Sequence, residues 1–466
     1  MSLYQNLTKI YDVPDAQSQN DSVNQVPRSC LPPRVGRPFM ARKQIRQIQA
    51  VSGATAGPSQ TSIIKIPTGN GAGFMVAGSA YLNFRFAVTQ ASATWGFAGS
   101  LGDASALINR LTLSQSVILE QIQNYGLFST NVVSPYATSA NYSNISQVCA
   151  GGMGSNNLLS LGYNTGLTTT AVTTLENVNF VYNQGTLNFS IPLLFGLFSG
   201  GSECNYLPLA LMSQNLDIQT DWATVNQAFS AITAEVTNYS ITQLSVVYET
   251  VQLPMEYENA VRAKLLAGSL YSIPFQTCIS SQVAGSSALS YNFSVNCSSV
   301  SGFCYGTIIS ANQATTLSNK NFSASASSTN ATDSTTVSRR QLYADGDSVQ
   351  QFPVYNMDSM LLKESARMFA NCNDPQYSVP FSTQGNVGAG GVAGIRGSFR
   401  SSFYLVCFNL RNFSESSLCL CGRPVGLLNL QINDSGASST DTVYMFAIVD
   451  YVAVLDGASG SLSLIR

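Results

Sequence analysis

Apolar and polar residues alternate along many short segments of this chain. In residues 81–89 the apolar side chains Leu82, Phe84, Phe86 and Val88 share one face of an extended segment. Residues 216–222 and 237–251 have the same two-residue period. This period is typical of an antiparallel strand with one face on a core and the other toward water.

Helical patterns are fewer and shorter. Asp103 or Ser105 can cap a short helix that begins the segment 103–111. Residues 255–267 contain strong helix formers, with acidic residues early and basic residues late, which suits the helix dipole. A short helix is also predicted at 358–370, and another at 40–48, where Met40, Ile45 and Ile48 are near helical spacing after Pro38.

The helix at 255–267 divides the chain into two halves with the same organisation. Each half has many short strands, one or two short helices and long polar loops, and the longest of these loops are predicted at 129–175, 310–338 and 376–400. Many short strands with long excursions favour all-β sandwiches or jelly rolls over barrels and α/β folds. The sequence therefore predicts a basic N-terminal arm (1–60), a first β-domain (61–254), a connecting helix (255–267) and a second β-domain (268–466).

Composition narrows the possible functions. The 466 residues contain no histidine, which excludes Ser-His-Asp triads, Cys-His pairs and His-liganded metals. Only 10% of the residues are charged, against about 25% in an average soluble protein. A low content of Lys and Glu suits a surface that is hidden against other copies of the chain. We expect no enzymatic activity and no cofactor.

The ten cysteines are scattered and form no C-x-x-C motif, so neither a zinc ribbon nor a thioredoxin-like site is indicated. We interpret most of them as small buried apolar residues in a reducing compartment, with a disulfide set as the alternative. The first residues show no signal peptide, and no apolar run is long enough to span a bilayer.

Charge is unevenly distributed along the chain. The net charge is −2, yet no Asp or Glu lies between Asp21 and Asp103. The basic residues near the start of this interval define the candidate arm site: Arg28, Arg34, Arg37, Arg42, Lys43 and Arg46. A basic arm of this kind can contact neighbouring subunits or a polyanion, and the interleaved prolines favour subunit contact over strong genome binding.

Four groups of segments, taken in order, resemble the double jelly-roll major capsid proteins of tailless icosahedral double-stranded DNA viruses. That family includes the proteins of polinton-like viruses, virophages and nucleocytoplasmic viruses. The matching segments begin at Gly78, Ile191, Arg339 and Pro424, and read GSAYLNFRF, IPLLFGLFS, RRQLYADGD and PVGLLNLQI. Together they span most of residues 75–466.

The resemblance implies two consecutive eight-stranded antiparallel jelly rolls with short helices and long loops. It also implies a homotrimer whose six rolls form a pseudo-hexagonal capsomer of an icosahedral virion. The implied partners are neighbouring capsomers and minor capsid and penton proteins, and the arm would have at most weak contact with the genome or an internal layer. Assembly would take place inside the host cell, and no membrane span is expected.

Other functions remain open from the residues alone. A secreted or cell-surface β-sandwich adhesin or carbohydrate-binding protein would suit the Ser/Thr/Asn-rich loops. A polysaccharide-active enzyme would need two carboxylates across a groove, and an RNA-virus shell protein or a minor vertex protein would share the strand pattern. Asp345-Gly-Asp347 is interpreted as a turn rather than a cation site, and the glycines from Gly388 as a loop rather than a dinucleotide-binding motif.

Overall fold

A computed structural model describes the chain in the following ranges: 41–90, 95–99, 103–133, 187–199, 206–231, 235–268, 271–285, 290–316, 320, 322, 339–349, 354–355, 368, 405–411, 422–426, 429–434 and 441–465. The predicted loops at 129–175 and 310–338 are described only in part, and the loop prediction is wrong at their first residues, where Phe128–Val133 and Ser310–Gln313 are helical. Of the helix predicted at 358–370 only Met368 is described, in helical conformation, and the loop predicted at 376–400 lies outside these ranges.

The first half contains twelve strands in the described ranges. They are β1 (Arg42–Gln49), β2 (Thr61–Ile66), β3 (Phe74–Val76), β4 (Tyr81–Gln90), β5 (Trp95–Phe97), β6 (Ile108–Ser114), β7 (Ile118–Gln123), β8 (Leu187–Pro192), β9 (Tyr206–Leu207), β10 (Leu216–Trp222), β11 (Phe229–Ala231) and β12 (Val236–Gln252).

The second half has eleven strands in the same ranges. They are β13 (Tyr271–Ala284), β14 (Ser290–Phe293), β15 (Cys297–Ile309), β16 (Arg339–Ala344), β17 (Asp347–Ser348), β18 (Val354–Tyr355), β19 (Val406–Asn409), β20 (Arg423–Val425), β21 (Leu430–Asp434), β22 (Asp441–Leu455) and β23 (Leu462–Ile465).

Helices are short except for one. The connecting helix, Met255–Leu266, lies between the two sets of strands, where the sequence predicts it. Asp103 caps the predicted short helix by accepting the Ser105 N–H at 2.8 Å. The described helical segments are Ala104–Leu107, Tyr125–Leu127, Phe128–Val133, Gly196–Ser199, Leu209–Leu211, Val225–Ala228, Met255–Leu266 and Ser310–Gln313.

The strand order is the same in both halves. In the first half one sheet contains the series β1-β12-β4-β8, and the facing sheet has the order β2-β10-β6-β7. In the second half the corresponding sheets run β13-β22-β15-β19 and β14-β21-β16-β17. If the eight principal strands of each half are counted in chain order, both halves pair them as 1-8-3-6 and 2-7-4-5. Two facing four-stranded antiparallel sheets with this Greek-key order form a jelly roll, so the predicted double jelly roll is confirmed.

Each roll has an aromatic core between its two sheets. In the first roll Phe84 of β4 meets Trp222 of β10 across the core, with ring centroids 5.6 Å apart. In the second roll Phe303 of β15 meets Phe293 of β14 at 5.5 Å. The alternating strands predicted from the sequence supply these side chains because every second residue of a strand points into the sandwich.

The helix predicted at 40–48 is wrong. Arg42–Gln49 form β1, which pairs antiparallel with Ser245–Gln252 of β12. The long strand β12 offers a free edge at this position, and tertiary pairing overrides the weak helical spacing of Ile45 and Ile48. The first sheet therefore begins inside the segment that the sequence analysis assigns to the arm.

Candidate assembly surfaces and the junction between the rolls

The candidate arm residues fall into two groups. Arg28, Arg34 and Arg37 lie outside the described residues. Arg42, Lys43 and Arg46 are brought together on β1, so half of the candidate site belongs to the sheet itself.

The three basic residues on β1 have different surroundings. The Lys43 ammonium lies 2.6 Å from the Glu249 carboxylate of β12, and the lysine side chain is 61% exposed. The Arg46 guanidinium donates to the Gly71 carbonyl and lies near Tyr248, whose pKa is raised by burial against the opposing effect of this cation. Arg42 is exposed. An exposed ion pair such as Lys43–Glu249 contributes little to stability.

The outward side of β1 and β12, named here the β1 face, consists of Lys43, Ile45, Gln47, Val247 and Val251. Ile45 is 71% exposed, the largest fraction among the large apolar side chains that the structure exposes in its described ranges. It stands opposite Glu249 in the strand pair. The charges of this segment are evident from the sequence, but the exposure of the isoleucine is not, because helical spacing would have turned it toward the body.

The two rolls pack against each other through β7 and β13. The Ser280 hydroxyl of β13 donates to the Gln123 carbonyl of β7. Gly196 lies against the backbone of Gln276, so close that a Cβ there would come within 1.8 Å of the Gln276 carbonyl oxygen. Phe128 of the first roll and Phe446 of β22 meet with ring centroids 5.4 Å apart.

Glu120 of β7 is buried at this junction. Its carboxylate accepts the backbone N–H groups of Gly196 at 2.8 Å and Leu197 at 2.7 Å. Burial raises the pKa of Glu120 to about 7, although the Leu197 N–H, the Thr277 side chain of β13 and the Gly196 N–H all favour the charged form. The carboxylate thus fastens the short helix Gly196–Ser199 to β7 beside the first strand of the other roll.

Asp450 is also buried, in the middle of the second roll's sheet. It accepts the Gln276 amide at 2.7 Å and the Ser299 hydroxyl at 2.7 Å. Although Asp450 interrupts an apolar run of the sequence, it does not lie at a sheet edge, because β22 is paired on both sides, with β13 and β15. The carboxylate is tolerated inside the sheet because neighbouring strands donate hydrogen bonds to it.

Cys278, Cys297, Cys304 and Cys407 are buried thiols that form no disulfide, in agreement with their interpretation as small apolar residues. Burial raises the pKa of the Cys278 and Cys304 thiols well above the ordinary value. Such thiols react slowly. The remaining six cysteines, Cys30, Cys149, Cys204, Cys372, Cys419 and Cys421, lie outside the described ranges.

Within the described ranges, the other candidate sites of the sequence analysis form no catalytic arrangement. Asp345 and Gly346 have positive φ angles of 51° and 86° and form the predicted turn between β16 and β17. Glu258 of the connecting helix is buried rather than solvated, and its pKa is raised by this burial and lowered by Arg262. The glycine motif from Gly388 lies outside the described residues.

A small cavity lies between the rolls, lined by residues that include Thr130, Ile308, Lys320 and Tyr444. Its volume of about 30 Å³ holds a few water molecules at most. Burial lowers the pKa of Lys320 to about 7, and its ammonium donates to the Thr315 carbonyl at 2.7 Å. This cavity is too small for an organic substrate.

Among the described residues no group of three or more His, Cys, Asp or Glu side chains could hold a metal ion. No helix within them is long and apolar enough to cross a membrane.

No protein-family model and no curated protein matches the sequence, but solved structures share its fold. The PBCV-1 VP54 crystal structure, fitted into a cryo-EM reconstruction of the virophage Sputnik, has a TM-score of 0.55 and 12% identity, covering 94% of this chain and 99% of that one. A quasi-atomic model of the PBCV-1 virus capsid has a TM-score of 0.56 and 9% identity, covering 94% of this chain and 100% of that one. The cryo-EM structure of the Sputnik virophage has a TM-score of 0.54 and 13% identity, covering 95% of this chain and 92% of that one.

Identities this low establish a common fold and nothing finer. The likeness extends over nearly the whole of each chain, so it includes both rolls and their arrangement in sequence.

Proposed function

We propose that this chain is the major capsid protein of a tailless icosahedral virus and resides in the virion shell. The observation that carries the proposal is the repeated strand order, 1-8-3-6 and 2-7-4-5, in two rolls joined by one helix. Chains solved as parts of the PBCV-1 capsid and the Sputnik virophage match this arrangement over almost their full length. The proposed role is structural. The binding partners of the chain in this role are other copies of the same shell protein.

The capsomer in this proposal is a homotrimer. Three chains with two rolls each provide six similar units, which can form a pseudo-hexagonal ring and tile an icosahedral face. The extensive contact between the rolls of one chain supports this, because it holds them as a single block at a fixed relative angle. Neighbouring capsomers and minor capsid and penton proteins would complete the shell, which would assemble inside the host cell.

The basic arm is proposed to lie on the inner side of the shell. Arg28, Arg34 and Arg37 would contact neighbouring subunits, with at most weak attraction to the genome or an internal layer. The small number of charges supports a weak attraction to the genome, since six basic residues interleaved with prolines provide few phosphate contacts.

Light scattering after size exclusion, followed by negative-stain imaging, tests the proposal. With a chain mass of 49.6 kDa, a trimer has a mass of about 149 kDa and is expected to show a six-sided outline. A monomer that does not self-associate at high concentration contradicts the proposal. In that case the alternative, a β-sandwich adhesin or carbohydrate-binding protein, is tested next by screening glycans.

A further inference from the structure

Two of the buried cysteines face each other across a pair of strands in the second roll. Cys304 of β15 and Cys407 of β19 are direct partners in the antiparallel register, and both side chains are completely buried. Directly opposed residues project from the same side of a sheet. The two thiols are also hydrogen-bonded to each other, and this hydrogen bond adds to the effect of burial in raising the pKa of Cys304.

The hydrogen bonds of the ladder determine how closely the two backbones approach at this position. The Leu410 N–H donates to the Ser301 carbonyl at 3.1 Å, so these two residues form a hydrogen-bonded pair. Hydrogen-bonded and non-hydrogen-bonded pairs alternate along an antiparallel ladder, and the cysteine pair is the third along from this one. Cys304 and Cys407 therefore form a non-hydrogen-bonded pair, with Cα atoms about 4.5 Å apart. A disulfide joins Cα atoms that are about 4.4–6.8 Å apart.

The other described cysteines do not have this geometry. Cys278 lies on β13, which β22 separates from β15. Two strand spacings amount to about 9.6 Å, whereas the Cα atoms of a disulfide are at most about 7 Å apart. Cys297 lies on the same strand as Cys304, seven residues before it. Within the described ranges, Cys304 and Cys407 are thus the two cysteines that a disulfide can join without movement of the backbone.

We propose that Cys304 and Cys407 form a cross-strand disulfide when the folded protein meets an oxidising environment, which makes them a redox-sensitive link between β15 and β19. A small disulfide such as glutathione disulfide is the oxidant. One cysteine attacks it as the thiolate and releases one small thiol, and the second cysteine then attacks the mixed disulfide and releases the other. The two cysteine protons end on the two released thiols, so one disulfide is consumed for each one formed.

The bond would act on a strand that has few other constraints. β19 pairs with β15 through the four residues Val406–Asn409 and is the last strand in the described part of its sheet. The two cysteines are about 100 residues apart in the sequence, and a cross-link that closes a long loop restricts the unfolded chain strongly. Oxidation is therefore expected to stabilise the second roll.

The position of the pair also connects it to the junction between the rolls. Cys304 stands opposite Phe446 of β22, and Phe446 packs on Phe128 of the first roll. The two cysteines thus project from the side of the sheet that faces the first roll. Burial there makes the reaction slow, and local opening of the terminal strand β19 gives the oxidant access.

The time at which the bond forms follows from the proposed function, on which this one step rests. A shell protein that assembles inside a host cell is kept reduced there and meets an oxidising medium only after release. The disulfide would then form in the finished shell. The pairing of the two cysteines itself does not depend on that function.

Disulfide mapping of the folded full-length chain tests the pairing. The protein is purified under reductant and incubated for days with glutathione disulfide at about pH 8.5, near the ordinary pKa of a thiol. Unreacted thiols are then alkylated, and the digest is analysed by mass spectrometry without reduction. A peptide pair linked through Cys304 and Cys407 is expected. The absence of this pair, or a link from either residue to a different cysteine, overturns the inference.

The stability of the two redox forms is a second readout. Oxidation is expected to raise the unfolding midpoint of the parent protein by several degrees. Cys407→Ala is expected to lose this shift. Cys278→Ala is the matched control and is expected to keep it, because Cys278 is a buried thiol of the same sheet that lies too far away to be linked.

The shift is measured between the oxidised and reduced forms of each variant, so destabilisation by the substitution itself cancels. An equal shift in Cys407→Ala would assign the effect to other cysteines and contradict the inference. Light scattering of the same samples decides the capsid role separately. A monomer that forms the bond contradicts the proposed function alone, and a trimer without the bond contradicts this inference alone.

Discussion

Glu120 shows how a single buried residue ties the two rolls together. Its carboxylate lies between β7, the helix Gly196–Ser199 and β13, and accepts two backbone N–H groups. Burial raises its pKa from the ordinary 4.5 to about 7. Between these values the folded protein binds a proton that the unfolded chain releases, so the contribution of Glu120 to stability falls as pH rises through this window.

Replacing Glu120 by glutamine is expected to reduce this pH dependence. In the parent protein the raised pKa lowers the free energy of unfolding by about 3 kcal/mol between pH 4 and pH 8. Denaturant unfolding at several pH values can measure this decrease. Glutamine accepts only one of the two N–H groups, and the stability lost through this hydrogen bond does not change with pH. The difference between the two pH values, rather than stability itself, is therefore the informative quantity.

Glu256→Gln is the control for this measurement, because Glu256 is exposed on the connecting helix. The control is expected to keep the pH dependence of the parent protein. If Glu120→Gln also keeps it, the pKa of Glu120 is the same in the folded and unfolded chains, which contradicts the raised value.

At the scale of elements, the helix Gly196–Ser199 fits against β13 only because its first residue has no side chain. The backbone of Gln276 occupies the space that a Cβ at Gly196 would need. Backbone cannot move aside as a flexible side chain can, so this contact sets the separation between the rolls.

Gly196→Ala is expected to destabilise the protein by about 3 kcal/mol or more, through overpacking at the junction. Gly57→Ala is the matched control, because a Cβ at Gly57 would approach the Tyr239 carbonyl only to 3.5 Å, an ordinary contact. Denaturant unfolding compares the two variants. An unchanged midpoint for Gly196→Ala would show that the helix does not pack against β13 as described.

At the scale of the whole molecule, the two rolls pack against each other, and Ile45 at the first edge of the first roll is exposed. The basic residues Arg28, Arg34 and Arg37 precede this edge in the sequence. Their proposed role is to join capsomers and not to build the trimer. Mutation of these residues is therefore expected to affect shell assembly and to leave the trimer intact.

The triple variant R28Q/R34Q/R37Q tests this separation. It is expected to form trimers of unchanged mass but to assemble into shells several-fold less efficiently, because the charge of the arm before β1 is removed. Electron microscopy of assembly reactions measures the yield of shells. The triple substitution K65Q/R85Q/K264Q, outside the arm, is the control for a general loss of positive charge. Loss of the trimer itself in the arm variant would contradict the proposed role.

The sequence by itself determined the fold class, the strands with a clear two-residue alternation and the connecting helix. The two-residue alternation in β4, β10 and β12 survives in the structure because each strand faces one sandwich core, and local pattern and burial agree. The helix Met255–Leu266 is equally local, since its formers and charges act within a few turns. The resemblance to double jelly-roll capsid proteins rested on the order of such segments, which one sequence can reveal.

Only the tertiary structure decided the pairing of strands and the surroundings of individual polar residues. β1 is a strand because β12, about 200 residues later, offers it an edge, and no local pattern carries that information. Asp450 is buried because Gln276 and Ser299 reach it from adjacent strands. Ile45 is exposed because the second roll of the same chain lies elsewhere. These outcomes depend on contacts between distant segments, which the alternation of residues along the chain does not encode.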